Sequence, residues 1–593
     1  MKEFLKYTLA TVVGIVLVSV LCTLLGLVSL FGIVAASEQE VPVKPNSIFT
    51  LTFDAAVEER AVPNPFAAVM GEEAEAIGLD DVLGSIKKAK ENENICGIYL
   101  ETGNFPGAEP ATLEAIRRAL VDFKESGKFI VAYGDVYTQG EYYLCSVADK
   151  VILNPQGAVA WTGLSAQPVF LKGLFDKLGV KMQIFKVGTY KSAVEPFVNT
   201  SMSEANREQT SAYLHSIWGQ IIADVAASRS ISADSLNAYA DLMMATGPAE
   251  EFVRCGMVDT LLYMDGVKSY LKQLTGTDED DALNTLALSD MINVKRNVPK
   301  DKSGNVVAVY YAVGEITDQP AQAMPGGEEG IVGGKVITDL SRLREDDDVK
   351  AVVLRVNSPG GSAFASEQIW NEVVKLKAKK PVIVSMGGMA ASGGYYISCA
   401  ADSIFAEPTT LTGSIGIFGM MPDMQGLLTD KLGLAFDVVN TNRYSDLGNA
   451  TRPMTEGEKQ LIQASVERGY GLFVKRCADG RGVSEEQIRQ VAEGRVWTGA
   501  MAQERGLVDC LGGIDDAIAV AANKAGVENY TVLAYPAQAS FFDNLLSQGK
   551  DNYINAKLKT SAGEYYGIIR CLNSLKEMTP LQARIEADPN IRL

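Results

Sequence analysis

The sequence predicts an α/β protein in which one domain occurs twice, in tandem, behind an N-terminal transmembrane helix. Three observations support this fold class. An uncharged apolar stretch occupies residues 7–37, short apolar runs alternate with helical patterns through the rest of the chain, and segments of the first half recur in the second. A chain of 593 residues exceeds what one hydrophobic core usually organises, so two or more domains are expected.

The apolar stretch at 7–37 predicts a membrane anchor. It is longer than the roughly 20 residues that cross the hydrocarbon core of a bilayer, and longer than the apolar region of a usual secretory signal peptide. Lys2 and Lys6 precede it, so the positive-inside bias predicts a cytoplasmic N-terminus and extracytoplasmic domains. A cleavable signal peptide is the alternative, because small residues at 34–36 offer a cleavage site. We favour a retained signal anchor, which together with its cytoplasmic stub occupies residues 1–37.

Predicted strands lie at matching places in the two halves. In the first half, strands at 48–53, 95–101 and 129–134 accompany a helix at 112–126; in the second, strands at 306–313, 349–356 and 381–387 accompany a helix at 365–379. Nearly continuous apolar strands separated by helices are typical of a buried, mostly parallel sheet. The repeat predicts a first domain over 45–262, an acidic, loop-like linker over 263–304 and a second domain over 305–535. The tail at 536–593 has no counterpart in the first half, and no role is assigned to it.

Composition excludes several classes of function. A net charge of −19 argues against nucleic acid as a partner, because phosphate backbones are bound by clustered Lys and Arg. The eight cysteines form no CxxC pair, so neither a zinc ribbon nor a thioredoxin-type site is indicated, and no metal or cofactor is expected. The single histidine, His215, lies among apolar residues of a predicted helix and is expected to be packed there. A hydrolase built on this chain therefore needs a general base other than histidine.

Two segments with the same spacing differ at one position that matters chemically. Residues 134–149 read GDVYTQGEYYLCSVAD and residues 387–402 read GGMAASGGYYISCAAD, so the Tyr-Tyr pair and the closing Ala-Asp coincide without gaps. Where the second copy has Ser392, between small residues and before two glycines, the first has Gln139. A serine on such a turn is either a close-packing residue or a nucleophile.

The repeat also indicates a partner for this serine. After a shared Lys-Leu-Gly, KVGTYKSA (186–193) aligns with TNRYSDL (441–447), so that Lys191 of the first copy falls on Ser445 of the second. The first copy therefore has a lysine and no serine, whereas the second has a serine and no lysine. This complementary loss predicts one site that takes Ser392 and Lys191 from different halves of the chain.

A lysine acts as a general base only when its amine is neutral, and an ordinary lysine has a pKa near 10.4. Burial in an apolar site lowers that pKa by several units, and the neutral amine can then take the proton of a serine hydroxyl. Lys191 is followed by Ala193, Val194, Pro196 and Phe197, which suits such a site. The alternative is a surface lysine in a loop, and the complementary loss in the two halves favours the catalytic interpretation.

A double glycine supplies a third element of the predicted site. The strand at 349–356 is followed by NSPGGS (357–362), in which Gly361 allows a backbone N–H to approach a ligand closely. Together with the amide of Gly393, just after Ser392, it is expected to form an oxyanion hole. The alternative is an ordinary strand-to-helix turn. The first copy reads ETGNFPG here and lacks the double glycine, as it lacks the serine.

Four motifs together resemble the signal peptide peptidase A family, peptidase family S49, in its long form with a duplicated domain. They are GTYKSAVEPF (188–197), NSPGGS (357–362), MAASGGYYIS (389–398) and LTGSIGI (411–417). The resemblance covers nearly the whole chain as far as the predicted tail. It implies two tandem ClpP/crotonase-like domains and a Ser/Lys dyad, with Ser392 as nucleophile and Lys191 as general base. It also implies that Ser414 orients the lysine amine.

The resemblance further implies an activity and a location. The expected function is a membrane-anchored serine endopeptidase that degrades cleaved signal peptides and other apolar peptides. It would lie in the inner (cytoplasmic) membrane as a single-pass protein, held to lipid by its anchor, with both domains on the periplasmic or extracytoplasmic side. A homotetramer shaped as a bowl open to the membrane is implied as well.

Two other functions remain open at this point. A crotonase-type acyl-CoA enzyme shares the fold and the pair of oxyanion amides. It needs neither Ser392 nor Lys191, however, and an extracytoplasmic domain has no supply of CoA. A non-catalytic membrane scaffold, left by a decayed duplication, is the other alternative. The intact serine, lysine and double glycine argue against decay.

Overall fold

The computed structural model describes residues 40–61, 76–103, 105–296, 301–319, 330–538 and 581–585, and part of 4–21. Most of the predicted anchor at 7–37 lies outside the described residues. Among the residues that are described, no helix is both long and apolar enough to cross a bilayer. The membrane anchor therefore stays a prediction.

The first copy alternates strands and helices. Its strands are β1 (Ser47–Thr52), β2 (Ala56–Glu58), β3 (Ala76–Gly78), β4 (Ile95–Glu101), β5 (Phe129–Tyr137), β6 (Lys150–Val159), β7 (Lys181–Lys186), β8 (Thr260–Leu261) and β9 (Thr285–Leu286). Its helices are α1 (Leu79–Glu91), α2 (Pro110–Lys124), α3 (Gln139–Cys145), α4 (Lys172–Leu178), α5 (Glu195–Val198), α6 (Glu204–Arg229), α7 (Ala233–Asp241), α8 (Glu250–Arg254), α9 (Met264–Thr275) and α10 (Leu288–Asn293), with a 3₁₀ turn at Met244–Thr246.

The second copy repeats this pattern and adds strands around the site. Its strands are β10 (Val306–Val313), β11 (Ile316–Thr317), β12 (Ile331–Val332), β13 (Val349–Ser358), β14 (Gly360–Ser362), β15 (Val382–Ala391), β16 (Ser403–Ala406), β17 (Leu411–Gly413), β18 (Phe418–Asp423), β19 (Val496–Thr498), β20 (Cys510–Leu511) and β21 (Thr531–Tyr535), and the tail adds β22 (Gln582–Arg584). Its helices are α11 (Gly333–Glu345), α12 (Ala363–Lys377), α13 (Gly393–Ser398), α14 (Glu456–Arg481), α15 (Glu485–Val491), α16 (Gly499–Glu504) and α17 (Ile514–Ala525), with a π-helical turn at Gly426–Lys431.

Each copy is built around one parallel sheet. In the first copy the strand order is β8-β6-β5-β4-β1-β9, and each neighbouring pair is parallel. The second copy has the equivalent order β20-β16-β15-β13-β10-β21, again with parallel pairs, and β17 and β19 extend it beside β15. The shared order confirms the duplication that the repeated segments predict, and the strands at 48–53, 95–101, 306–313 and 349–356 are confirmed with it.

Buried side chains cover both faces of each sheet, which explains the continuous apolar runs in the sequence. Along β1, Phe49 and Leu51 pack in the large core of the first copy. Ile48 directly precedes Phe49 and points to the other face of the sheet. There it belongs to a separate cluster with Val267 and Leu271 of α9. Parallel sheets are buried on both faces for this reason, because their crossover helices pack on each side.

The predicted loop-like linker over 263–304 is wrong for residues 264–293. These residues form α9, β9 and α10, and β9 pairs in parallel with β1 at the edge of the first sheet. α9 and β9 correspond to α17 and β21 of the second copy, where β21 pairs with β10 in the same way. Burial of Val267 and Leu271 against the sheet outweighs the acidic, turn-rich sequence that lies between α9 and β9.

A third sheet crosses the boundary between the copies. Its order is β12-β11-β14-β22-β18-β7, so it joins β7 of the first copy, strands of the second copy and β22 of the tail. β7 and β18 are antiparallel from Phe418 opposite Lys186 to Asp423 opposite Lys181. Because Lys191 follows β7, this strand pair carries a residue of the first copy into the second.

A buried ion pair also holds the two copies together. Glu59 of the first copy accepts two hydrogen bonds of 2.8 Å from Arg355 on β13, and both side chains are almost fully buried. Further polar contacts across the boundary join Arg118 to Glu407, Glu114 to Thr409, and Asn357 to Glu109. The two copies therefore form one packed unit rather than domains on a free tether.

Replacing Glu59 by alanine should lower the free energy of unfolding by about 3–5 kcal/mol, because Arg355 is then buried without its counter-charge. The measurement is a denaturant melt of the full chain. Glu485→Ala, which removes an exposed carboxylate beside Arg489, is the matched control and should cost about 0–1 kcal/mol. A double change of Glu59→Leu with Arg355→Met should recover most of the loss. Equal free energies of unfolding for Glu59→Ala and Glu485→Ala would contradict the structural role of the pair.

Candidate active site

Ser392 lies on a sharp turn between β15 and α13. Its φ of +55° is in the left-handed region, which is costly for a residue other than glycine and is found at functional turns. The Ser392 N–H donates to the Gly413 carbonyl at 2.8 Å and so fixes the turn. The side chain is fully buried, and its Oγ lies 2.7 Å from Lys191 Nζ.

Lys191 reaches this serine from the first copy. The neighbouring Tyr190 N–H donates to the Glu493 carbonyl at 3.0 Å, which fastens the segment after β7 to the second copy. Two glycines make room for the side chain. A Cβ on Gly494 would lie 2.7 Å from Lys191 Cβ, and a Cβ on Gly416 would lie 3.3 Å from Lys191 Cδ. The structure thus brings the two residues of the predicted dyad into direct contact.

The surroundings of Lys191 favour a neutral amine. The side chain is fully buried, and this burial holds the pKa of the amine well below its ordinary value of 10.5. The positive charge of Arg584 lowers the pKa further. An amine with a lowered pKa is neutral at a pH where an exposed lysine is still charged, which is the state that a general base needs.

Ser414 is the second hydroxyl at this amine. Its Oγ lies 3.1 Å from Lys191 Nζ and its carbonyl oxygen 3.3 Å. Ser414 also has a positive φ of +50°, and its N–H donates to the Arg495 carbonyl at 2.7 Å. Because its hydroxyl donates to the Gly494 carbonyl at 3.3 Å, its oxygen is left to accept from the amine. The lone pair of a neutral Lys191 is then free to face Ser392.

Of the two glycines of the expected oxyanion hole, Gly393 directly follows Ser392, and Gly361 lies on the strand whose preceding residue, Gly360, approaches Gly393. Gly393 opens α13 and Gly361 lies on β14. A Cβ on Gly360 would lie 2.7 Å from Gly393 N, and a Cβ on Gly361 would clash with the carbonyl oxygen of Ile316 on β11. Gly360, the first residue of the predicted double glycine, has a φ of +99° that favours glycine. Gly360 therefore lets β14 pass close to the turn of Ser392, and Gly361 lets it pass close to β11.

The C-terminal tail contributes a strand to the site, a role that its sequence did not indicate. β22 runs antiparallel to β14, with Gly361 opposite Ala583 and Gly360 opposite Arg584, and it runs antiparallel to β18 on its other side. Ala583 is fully buried, and its carbonyl oxygen lies beside Gly360 and Gly393. An extended peptide thus fits between β14 and β18 with a carbonyl group next to the expected oxyanion hole.

The counterparts of the two dyad residues do not form a second site within the described chain. Gln139 Oε1 accepts hydrogen bonds from the N–H groups of Thr162 and Gly163 at 3.0 and 2.9 Å. Ser445 is exposed and donates to the Asn442 carbonyl at 2.9 Å. The first copy has therefore kept the fold of the site, with the glutamine side chain bound to its own loop.

His215 takes no part in the site. It lies on α6 as predicted, but it is exposed, so the expectation that it is packed is wrong. Its Nδ1 lies 2.7 Å from the Ser211 carbonyl oxygen. Ile217, two positions further on, is fully buried, because residues two apart point to different faces of a helix. Within the described ranges, no group of His, Cys, Asp and Glu side chains is arranged to hold a metal ion.

Comparison with known proteins gives the same assignment to both halves. The profile described as Peptidase family S49 matches residues 122–278 and again 374–528. The profile described as Clp protease matches residues 329–411, which contain β13 and β14 with the double glycine. Each S49 match lies within one of the two copies of the domain.

Relatives are found over most of the chain. Protease 4 of Salmonella typhi is 40% identical over 79% of this chain and 75% of its own length. Protease 4 of Haemophilus influenzae is 38% identical over 74% of this chain and 71% of its own length. Serine protease SPPA, chloroplastic, of Arabidopsis thaliana is 32% identical over 76% of this chain and 66% of its own length.

Proposed function

Because the chain belongs to peptidase family S49, in the long form with a duplicated domain, and is a serine peptidase, we propose that it cuts apolar peptides with a Ser/Lys dyad. Ser392 is the nucleophile and Lys191 the general base. The observation that carries this proposal is the distance of 2.7 Å between Lys191 Nζ and Ser392 Oγ inside a fully buried site. Neither a crotonase-type acyl-CoA enzyme nor a scaffold needs that contact.

The first step is attack of Ser392 Oγ on a peptide carbonyl carbon. Neutral Lys191 takes the hydroxyl proton as the C–O bond forms, and Ser414 holds the amine so that its lone pair faces the serine. The negative charge that develops on the carbonyl oxygen is stabilised by the backbone N–H groups of Gly361 and Gly393.

The second half of the reaction returns the enzyme to its starting state. The tetrahedral intermediate collapses, the C–N bond breaks, and protonated Lys191 gives its proton to the leaving amine. A water molecule, deprotonated by the same amine, then attacks the acyl-enzyme ester carbon. The carboxylic acid leaves and Ser392 recovers its proton. One lysine thus serves as base and acid in turn.

The groove between β14 and β18 favours an extended peptide as substrate. β22 pairs with the edges of both strands, and Gln582 and Ala583 are buried there. A substrate strand that takes this place gains main-chain hydrogen bonds from two sides, which gives affinity with little demand on side-chain sequence. We infer that substrates enter unfolded and that the tail segment leaves the groove when they bind.

The pH dependence of cleavage should report the pKa of Lys191. Because the neutral amine is the active form, kcat/KM is low in acid and rises with pH through the pKa of Lys191, which burial holds well below 10.5. The measurement is the initial rate on a fluorogenic apolar peptide across the pH range. Arg584→Gln removes the positive charge that lowers this pKa. In that variant, the rise of kcat/KM should therefore be displaced to higher pH. A rate that rises only near the pKa of an exposed lysine would count against the proposed base.

Membrane anchoring, location and assembly are parts of the same proposal. The apolar stretch at 7–37 supports a single-pass anchor in the inner (cytoplasmic) membrane, with both domains on the periplasmic or extracytoplasmic side. That position suits cleaved signal peptides as substrates, since these are apolar and stay in the bilayer. We infer a homotetramer as the assembled form, from the family resemblance.

The substrate proposal is tested with the full chain in lipid vesicles. A synthetic signal peptide and a soluble polar peptide of equal length are offered together, and the products are identified by mass spectrometry. We expect cleavage inside the apolar stretch of the signal peptide and slow or no cleavage of the polar peptide. Preferential cleavage of the polar peptide would contradict the proposed substrate class while leaving the dyad untouched.

A further inference from the structure

One strand pair joins the two copies inside the chain. β7 of the first copy lies antiparallel to β18 of the second, from Phe418 opposite Lys186 to Asp423 opposite Lys181. This pair gives β7 a hydrogen-bonded partner and brings Lys191 to the site. Since the chain is a duplication, each of the two strands has a counterpart in the other copy.

The counterparts of β7 and β18 can be read from the repeat. Lys-Leu-Gly at 177–179 recurs at 431–433, so β7 corresponds to residues 435–440, AFDVVN. Asp149, just before β6, recurs as Asp402 just before β16, so β18 corresponds to residues 165–170, SAQPVF. In the described part of the chain both counterparts are outside regular secondary structure, and no backbone hydrogen bond joins either of them to a strand.

Both counterparts expose apolar side chains. Val439 is 94% exposed, and Phe436 and Val438 are each nearly half exposed. Val169, in the other segment, is 61% exposed. A segment without a strand partner that exposes apolar side chains can pair with another chain.

We propose that residues 435–440 of one chain pair with residues 165–170 of a second copy of this chain, antiparallel, as β7 pairs with β18. In the register of the observed pair, Ala166 lies opposite Val439 and Val169 opposite Phe436. The second copy of the chain is the occupant, because the same two segments, in their other versions, already make this contact inside the chain.

This arrangement deepens the assembly part of the proposed function and rests on it. The contact is heterologous, since one chain offers its second domain and the next offers its first. Repeated head to tail, such a contact closes into a ring when the rotation allows it. The Ser392 site is complete within one chain, so the ring orders the chains around the membrane without building the dyad.

The pairing is tested by cross-linking full-length chains in detergent. One preparation carries Ala166→Cys and another Val439→Cys. Directly opposed residues on antiparallel strands have Cβ atoms about 4.5–5.5 Å apart, within reach of a disulfide after small adjustment. On mixing and mild oxidation, we expect a covalent dimer that neither preparation forms alone. Leu242→Cys, at an exposed site outside both segments, mixed with Val439→Cys is the control and should stay unlinked.

Three results would overturn this interface. Chains that sediment as an oligomer yet give no cross-link would place the contact elsewhere. A disulfide formed inside a single doubly substituted chain would make the pairing intramolecular. If Val439→Lys weakens binding to lipid vesicles but leaves chain association unchanged, the loop contacts the membrane instead. Reaction of Ser392 with a fluorophosphonate, measured on the same samples, tests the dyad separately, so failure of the interface and failure of the proposed function remain distinct.

Discussion

Ser392→Ala should lower kcat/KM for an apolar peptide by roughly 10⁶-fold, because loss of a nucleophile leaves only binding and the oxyanion hole to act on the substrate. The measurement is cleavage of a fluorogenic apolar peptide by the purified full chain. Ser289→Ala, at an exposed position on α10, is the matched control and should keep wild-type activity. A Ser392→Ala chain within tenfold of wild type would show that another group attacks the peptide.

The turn at Ser392 allows the chemical loss to be separated from loss of fold. Because Ser392 has a φ of +55°, alanine keeps the backbone strain of the native turn, whereas glycine relieves it. Ser392→Gly should therefore be at least as stable as the wild type and equally inactive as Ser392→Ala. Activity in the glycine variant alone would mean that the alanine variant had failed through its fold.

Lys191→Met should lower kcat/KM by about 10²–10⁴-fold, the usual contribution of a general base. Methionine has a similar length and no charge, so it fills the space between Gly416 and Gly494 with little cost in packing. The melting temperature should not fall, because a buried amine is exchanged for an apolar group. The measurements are kcat/KM and the melting temperature, each determined for Lys191→Met and for the wild type on the same preparations.

Two further lysine variants make this result specific. Lys191→Arg keeps a positive charge that arginine does not lose at accessible pH, so it should be as inactive as Lys191→Met. Lys524→Met changes an exposed lysine on α17 and should leave the rate unchanged. Wild-type activity in Lys191→Arg would exclude proton transfer by this side chain.

Much of the fold follows from local sequence. The strands at β1, β4, β10 and β13 are continuous apolar runs because their sheets are covered on both faces, and such runs are visible without a structure. Short strands are not. β9 has only two residues, Thr285 and Leu286, and exists because β1 offers it an edge. For the same reason β22 could not be foreseen, since its pairing is specified by β14 and β18 and not by its own pattern.

The part of the candidate site that could be predicted is the part in which the two copies differ. Loss of the serine in one copy and of the lysine in the other pointed to Ser392 and Lys191, which the structure places in contact. Residues that contact or influence the dyad only in the folded chain cannot be recognised from the repeat. Gly494 makes room for the lysine and Arg584 lowers its pKa, yet both lie far from Lys191 in the sequence.

The most direct test of the dyad is the rate at which Ser392 is acylated by a fluorophosphonate, followed against pH in the wild type and in Lys191→Met. Mass spectrometry of the labelled peptide identifies the serine that reacts. We expect the label on Ser392, a wild-type rate that rises through a single pKa well below 10.5, and a rate in Lys191→Met that is at least a hundred-fold lower. Label on a different serine, or equal rates in the two chains across the pH range, would contradict a Ser392–Lys191 dyad.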